Sequence, residues 1–228
     1  MKVFPSAFKY SIPVLLGYLA IGTAFGLLLS GAGYPWPLAL LMSLLMFAGA
    51  GQYIAVGLLA AGTSLWEVCL VQLVVNARHI AYGFSMLKRF RDMGVFKPYL
   101  IFSMTDETFA LLSSLPAEPV PGGTEKQQRR FMFYVAALNH SYWISGSVIG
   151  AVAGSLIPFD MGGISFALTA LFVVLMIEQI LKVKRPGVFI ISAFAALLGV
   201  FILPGTLSLL AAMVLALVVS GIVGRRPA

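Results

Sequence analysis

The chain has 228 residues, 60% apolar and 10% charged, with a mean hydropathy of +0.98 and a formal net charge of +7. No soluble core of this length could bury so much apolar surface, and hydrophobic runs recur along the whole sequence, so a soluble domain is excluded in favour of one helical bundle in lipid. The 15 Lys and Arg stand between the apolar runs without aromatic interleaving, which orients a membrane protein and excludes nucleic acid as partner, and the lone Cys69 offers neither a disulfide framework nor a cysteine-based metal site.

A spanning helix needs about 20 mostly apolar residues, and every backbone group that faces lipid must be bonded within its own helix. The predicted fold class is therefore all-α. Eight apolar segments qualify: 12–31, 37–61, 66–87, 98–115, 131–157, 164–181, 187–203 and 206–223. In segment 1, Lys2 and Lys9 precede the run and Ser30-Gly31-Ala32 could be read as a leader cleavage site. The run exceeds the roughly 7–15 residues of a signal core, so it is expected to remain as the first helix. Gly22, Gly26 and Ser30 recur at spacing four, on one face, for close approach to another helix or to a separate membrane subunit.

Segment 2 is interrupted at Ala48-Gly49-Ala50-Gly51-Gln52. A helix broken there exposes N–H groups at the start of its second half, where the dipole favours an anion such as a carboxylate, with Gly49, Gly51 and Gln52 beside it. Tight packing through small residues accounts for the same letters. In segment 3, helical spacing puts Gln72, Asn76, His79 and Gly83 on one polar stripe, with Arg78 about 100° from His79. Such a stripe should face a cavity, although Arg78 could also snorkel or neutralise a carboxylate.

Segment 4 is short and holds Asp106 and Glu107, adjacent acids about 100° apart. One is expected to pair with Arg78 and the other to carry a proton; a surface helix with solvated acids is the alternative. Residues 116–130, rich in Pro and Gly, read as the one substantial loop and divide a single transmembrane domain into halves 1–115 and 131–228. Segment 5 carries Asn139-His140 and a second small-residue face, Gly146, Gly150 and Gly154. In segment 6, Glu178 and Lys182 are spaced for an interfacial salt bridge.

Eight simple crossings would strand Lys88, Arg89, Arg91 and Lys97 on the outer side, against the positive-inside tendency. If segments 2 and 4 are broken or re-entrant, six crossings remain and every basic cluster falls on the cytoplasmic side with both termini; the loop charges also allow seven. Irregular backbone at membrane depth must be covered by protein or line a cavity, so the breaks point inward. An intramembrane serine protease is excluded because Trp143 stands where its motif needs Gly two residues before Ser145, and no phosphate loop or H-E-x-x-H pair occurs. No enzyme activity and no cofactor is expected.

Phe25-Gly26, Phe47-Ala48-Gly49-Ala50-Gly51-Gln52, Asn76-Ala77-Arg78-His79 with Tyr82-Gly83, and Thr105-Asp106-Glu107-Thr108-Phe109-Ala110 together resemble the AzlC family, the larger subunit of bacterial branched-chain amino acid exporters. The second half of the chain matches in length and hydropathy alone. The resemblance implies export of branched-chain amino acids across the bacterial inner membrane, coupled to protons, with a small AzlD-type membrane subunit. On that reading the substrate meets Arg78, Gly49, Gly51, Gln52, Asn76, Asn139 and Asp106, the proton is handled by Asp106 or Glu107 with His79 as relay, and apolar side chains accept the aliphatic tail.

Overall fold

The computed structural model describes residues 3–115, 124–156 and 186–202, with positions 173, 176, 177, 180, 181 and 215. All elements formed by these residues are helical: α1 (Val3–Gly31), α2 (Trp36–Leu45), α3 (Gly49–Ala60), α4 (Leu65–Val75), α5 (Ala77–Met86), a 3-10 turn (Gly94–Phe96), α6 (Lys97–Phe102), α7 (Asp106–Ser113), α8 (Glu125–Leu156) and α9 (Pro186–Ile202). Segments 6 and 8 fall outside them apart from the isolated positions, and so does the Glu178–Lys182 pairing. Of the described helices, α1 alone is long and apolar enough to cross a membrane unaided.

Two compact units emerge, Met1–Val56 with Asn76–Ile164, and Gly57–Val75 with Ser165–Ala228. In the second, α4 and α9 present large exposed apolar side chains such as Trp66, Leu73, Phe194 and Phe201, as surfaces facing lipid do.

The first unit is built on α1 and α8. Their small-residue faces, read separately from the sequence, meet each other. A Cβ on Gly146 would lie 2.8 Å from the Tyr18 carbonyl and one on Gly22 would lie 3.1 Å from the Ser147 nitrogen. Gly26 against the Ser147 carbonyl and Gly150 against the Thr23 carbonyl are tighter still. Both faces are therefore consumed inside this chain, and neither is open to dock a separate subunit. Helix α8 also starts earlier than expected: Thr124 and Gln127 form a reciprocal capping box (Thr124 N to Gln127 Oε1 3.0 Å, Gln127 N to Thr124 Oγ1 3.3 Å), so the last six residues of the anticipated 116–130 loop, from Glu125, are helical.

Two broken segments fold against this pair as hairpins of half-helices. Helices α2 and α3 have 10 and 12 residues, each about half the roughly 30 Å of a hydrocarbon core. Between them Phe47 adopts φ +39°, a left-handed conformation costly for a bulky residue, and Gly49 φ +25°. The Phe47 ring stacks on His140 with centroids 4.3 Å apart and meets Tyr18 edge-on at 6.2 Å. Six residues on, the Tyr53 hydroxyl donates to the Ile21 carbonyl at 2.5 Å and its ring meets Phe25 at 5.7 Å, so α3 turns back toward the end from which α2 came.

Helices α6 and α7 form the opposing hairpin. Phe96, at its start, lies 4.6 Å from Phe133. At its finish the Tyr10 hydroxyl donates to the Leu111 carbonyl at 3.0 Å, and Arg89 donates to the carbonyls of Leu112 and, at 2.6 Å, Leu115. Tyr10 also packs on Phe131 at 5.6 Å, so both ends of 98–115 sit at one end of the α1–α8 pair, the end that bears Lys9, Lys88, Lys97 and Arg130. The turn at 103–105 reaches inward to Tyr18 through Thr105, and Thr108 just after it meets Asn139; Tyr18 and Asn139 lie eight residues along α1 and α8 from Tyr10 and Phe131, or about 12 Å. Buried Met86, Phe90, Leu100, Met104, Leu112 and Met132 fill the space beneath it.

Segment 3 departs from the expected single helix. It is cut at Asn76 (φ −90°, ψ 2°), where the His79 N–H returns to the Asn76 carbonyl at 2.9 Å, a 3-10 closure. Asn competes with the helix by bonding locally, which suits it to such a joint. The polar stripe 72–76–79–83 is thus divided between two helices.

Candidate functional site

All three breaks coincide with the polar motifs of segments 2, 3 and 4, and each motif opens a new half-helix: Gly49 opens α3, Ala77 opens α5 and Asp106 opens α7. Thr105 caps α7, its Oγ1 accepting from the Thr108 N–H at 3.2 Å, which leaves the two acids in the first turn where the dipole favours negative charge. Arg89 and Tyr10 satisfy carbonyls at the other end of the same helix. A helix of eight residues could not hold its shape without such ends.

Asp106 is clasped by α5. Arg78 Nη1 donates to Oδ2 at 2.6 Å and the Tyr82 hydroxyl donates to Oδ1 at 2.6 Å. The Tyr82 ring stacks on Phe109 at 4.5 Å, which fixes the clasp from the apolar side. The pair is half-buried, with 33% of the Arg78 and 27% of the Asp106 side chain exposed. Arg78 Nε is buried with no partner. A cation with a stranded donor beside partly exposed carboxylate oxygens has capacity for one more acceptor.

Glu107 turns the other way. It is exposed, and its Oε2 accepts from the hydroxyl of Tyr18, which is itself buried, at 2.7 Å. The Tyr18 hydroxyl also lies 2.6 Å from Thr105 Oγ1, Thr105 Oγ1 lies 3.0 Å from Thr108 Oγ1, and Asn139 Nδ2 donates to Thr108 Oγ1 at 3.1 Å. Asn139 is fully buried, and its Oδ1 has no partner.

Gln52 is fully buried beside the first break. Its Oε1 accepts from Trp143 Nε1 at 2.8 Å and from the Ala48 N–H at 3.3 Å, while Nε2 donates to Ser43 Oγ at 3.2 Å. The amide is thereby committed at both ends to bracing α2, the break and α8. Gly51 donates its N–H to the Ala48 carbonyl at 2.6 Å, and Gly49 supplies the positive φ. His140 lies 3.0 Å by Nε2 from the Ser43 carbonyl and 3.0 Å by Nδ1 from the Tyr99 hydroxyl. Because a carbonyl only accepts, Nε2 carries the proton, and in the neutral ring Nδ1 accepts from Tyr99. His140 thus pins the two hairpins together.

Of the residues singled out from sequence, Arg78 and Asp106 come into contact, Glu107 and Asn139 are linked to each other through Tyr18, Thr105 and Thr108, and Gln52, Gly49 and Gly51 shape the opposing tip. Asn76 is the joint of segment 3. His79 is half-buried with its ring 5.9 Å from that of Tyr82. Sequence reasoning missed Tyr18 and gave Tyr82 no role in the site. Tyr82 was within reach, one turn after Arg78, whereas a tyrosine inside the first apolar run carries no periodic signal. Among the described residues no three His, Cys, Asp or Glu converge as metal ligands would.

The family model for AzlC protein matches residues 13–157, which hold α2 to α8, most of α1 and every contact described above except those of Tyr10. The chain is 40% identical over 182 residues to the branched-chain amino acid transport protein AzlC of Bacillus subtilis, covering 80% of this chain and 70% of that one. An uncharacterized membrane protein of Helicobacter pylori strain 26695 is 48% identical over 179 residues, covering 78% and 76%. The inner membrane protein YgaZ of Escherichia coli K12 is 31% identical over 175 residues, covering 74% and 70%. No solved structure matches the chain.

Proposed function

Because the chain belongs to the AzlC family, we propose that it is a secondary transporter exporting branched-chain amino acids across a bacterial inner membrane, driven by the proton gradient and working with a small AzlD-type subunit. The observation that carries this reading is the Arg78–Asp106 pair, held between the starts of two half-helices in a chain of apolar runs. Either charge alone costs roughly 2.5–3.5 kcal/mol at the centre of a spanning helix, so they stand there paired. Their partial exposure opens the pair to water and to a charged solute, as a transport site requires.

In this proposal the two hairpins are re-entrant, one from each side, and their tips meet near mid-membrane at Tyr18 and His140. Six crossings then remain, with both termini and the basic end of the first unit on the cytoplasmic side. The substrate carboxylate meets Arg78 and the first turn of α3, the ammonium group meets Asp106 and Asn139, and the aliphatic tail rests among aromatic side chains of the tips such as Phe47 and Phe102. Asp106 or Glu107 carries the proton, with His79 beside them as relay.

The test is accumulation of labelled leucine by inverted vesicles carrying the full chain and its partner, with and without an imposed proton gradient. The wild type is expected to accumulate leucine when the gradient is present, and Asp106→Asn is expected not to. Failure of the wild type overturns the reading.

One observation favours a rival, a non-transporting scaffold: Arg78 and Tyr82 engage both Asp106 oxygens, as in a structural pair. Exchanging the charges (Arg78→Asp with Asp106→Arg) separates the two. A scaffold regains its function with the restored pair, whereas a substrate site folds and stays inactive.

A further inference from the structure

We infer that the face of α5 turned away from the clasp, with the turn after it, holds an anionic phospholipid of the leaflet at the basic end of the first unit. Its phosphate rests on Lys88 and Arg91 and an acyl chain follows Leu87, Phe84 and Ile80. The lipid contact needs only a chain in a bilayer; its effect on leucine movement rests on the transport reading.

The helical path continues past α5, which ends at Met86: the Phe90 N–H returns to the Met86 carbonyl at 2.9 Å and the Arg91 N–H to the Lys88 carbonyl at 3.3 Å. At about 100° per residue, Arg78, Tyr82, Met86, Arg89 and Phe90 share one side of it. That side is fully engaged. Arg78 and Tyr82 hold Asp106, Arg89 donates to the carbonyls of Leu112 and Leu115, and Met86 and Phe90 are buried. Ile80, Phe84, Leu87, Lys88 and Arg91 fall within about 100° of one another on the opposite side. All five are exposed, Phe84 by 71%.

Their order along the helix matches a phospholipid. The apolar side chains come first, nearer the clasp, and the two cations follow at the end where Lys9, Lys97 and Arg130 also stand. Ile80 and Arg91 lie about 16 Å apart along the axis, close to half of the roughly 30 Å hydrocarbon core, which is the depth of one leaflet.

Neither Lys88 nor Arg91 forms an ion pair among the described residues; the two pairs there are Arg78–Asp106 and Arg129–Glu125. The neighbouring acid, Asp92, stands about 100° round the helix from Arg91. Unpaired cations at a membrane surface attract anionic headgroups, whereas a zwitterionic headgroup brings a cation of its own. An acidic protein segment could meet the cations, but the apolar stretch leading up to them has the run of an acyl chain. Helix α5 has only ten residues, so a headgroup gripping the end that follows it also fixes the reach of Arg78 and Tyr82 to Asp106.

The experiment places tryptophan at Phe84 and follows its quenching by brominated phosphatidylglycerol or brominated phosphatidylcholine in vesicles carrying the full chain, after subtraction of the signal from Trp36, Trp66 and Trp143. Phe84→Trp is expected to be quenched more strongly by phosphatidylglycerol. Each cation near an anionic leaflet strengthens binding about five-fold, so the preference for two reaches at most about 30-fold. Adding Lys88→Gln and Arg91→Gln should abolish it. Adding Lys126→Gln and Arg130→Gln instead, which removes the same charge from α8, should leave it intact. Equal quenching by the two lipids overturns the inference. So does loss of the preference in the α8 variant, since the attraction then belongs to the whole basic end, and so does its loss when the small subunit is added, since the face then belongs to protein.

In vesicles of phosphatidylcholine, adding phosphatidylglycerol should lower the KM for leucine exchange, and Lys88→Gln with Arg91→Gln should remove that gain. A lipid preference to which exchange is indifferent overturns the link to the clasp. Absence of leucine exchange in either lipid overturns the transport reading and leaves the lipid site standing on its quenching.

Discussion

The α1–α8 seam and the α5–α7 clasp are both contacts between helices of the first unit, and they are built in opposite ways. Along the seam Gly22, Gly26, Gly146, Gly150 and Gly154 are buried; at Gly26, Gly146 and Gly150 backbone meets backbone with no room for one methyl group, Gly22 is a tight backbone contact, and Gly154 meets the Ser30 side chain. In the clasp, long side chains from Arg78 and Tyr82 reach across to a carboxylate that stays about a quarter exposed. Lipid tails are as apolar as leucine, so the seam gains its stability from close packing rather than from any exclusion of water. The clasp gains little stability from a partly solvated ion pair. A wall that does not yield and a pair that can be opened are what a moving solute needs side by side.

The comparison breaks most visibly at Gly150. Leucine there would drive a side chain into the Thr23 backbone, and no folded protein is expected on size-exclusion in detergent. Alanine at the same place should cost about 1–3 kcal/mol, read as a fall in the thermal midpoint. Transport should then decline only as folded protein is lost. A loss of transport at full folded yield would mean that the seam itself moves during the cycle.

Gln52→Leu comes next. It strands the Trp143 indole N–H and the Ser43 hydroxyl in a buried setting, at about 1–3 kcal/mol for a buried group left without its bond. The variant should melt lower than the wild type, whereas Gln52→Glu, which still accepts from Trp143, should fall between them. Equal midpoints for all three would show that the break at Phe47 does not depend on this brace.

Asp106→Asn should be milder in stability and severe in function. Water reaches the pair and can solvate the Arg78 charge that is left behind, so the full cost of an unpaired charge in lipid does not apply and the loss is worth at most about 1 kcal/mol, within the range of solvated salt bridges. Gradient-driven leucine accumulation should vanish while the midpoint stays near that of the wild type. A fall as deep as that of Gln52→Leu would place the clasp with the seam, as structure rather than machinery.

The two regions also differed in how far they could be read in advance. Spacing of four put each glycine set on one helix face, and lipid leaves such faces little to do but pack, so the seam was legible down to its residues. What spacing could not say was that the two sets are partners, because periodicity along one helix carries no information about its neighbour. The interruptions at 48–52 and near 106 were visible as glycine and charge inside apolar runs, and the pairing of Arg78 with one of the two acids followed from the cost of leaving either charge alone, although not which acid. The break at Asn76 was hidden, since a single asparagine disturbs helical periodicity no more than a polar side chain facing a cavity would. Tyr18 was hidden more completely: its role depends on Thr105 and Glu107, 87 and 89 residues away. Only the fold brings them within reach.

The smallest effect tests whether glycine spacing by itself carries meaning. Gly17 lies on α1, five residues before Gly22 and off the face that Gly22 and Gly26 share, and a Cβ built there meets nothing within 4 Å. Glycine in a helix interior forfeits roughly 0.5–1 kcal/mol relative to alanine through the freedom of its unfolded backbone. Gly17→Ala should therefore raise the thermal midpoint slightly and leave transport alone, the reverse of Gly26→Ala nine residues further along the same helix. Should Gly17→Ala prove as damaging as Gly26→Ala, α1 would have to present a second packed face, one turned toward a partner outside this chain.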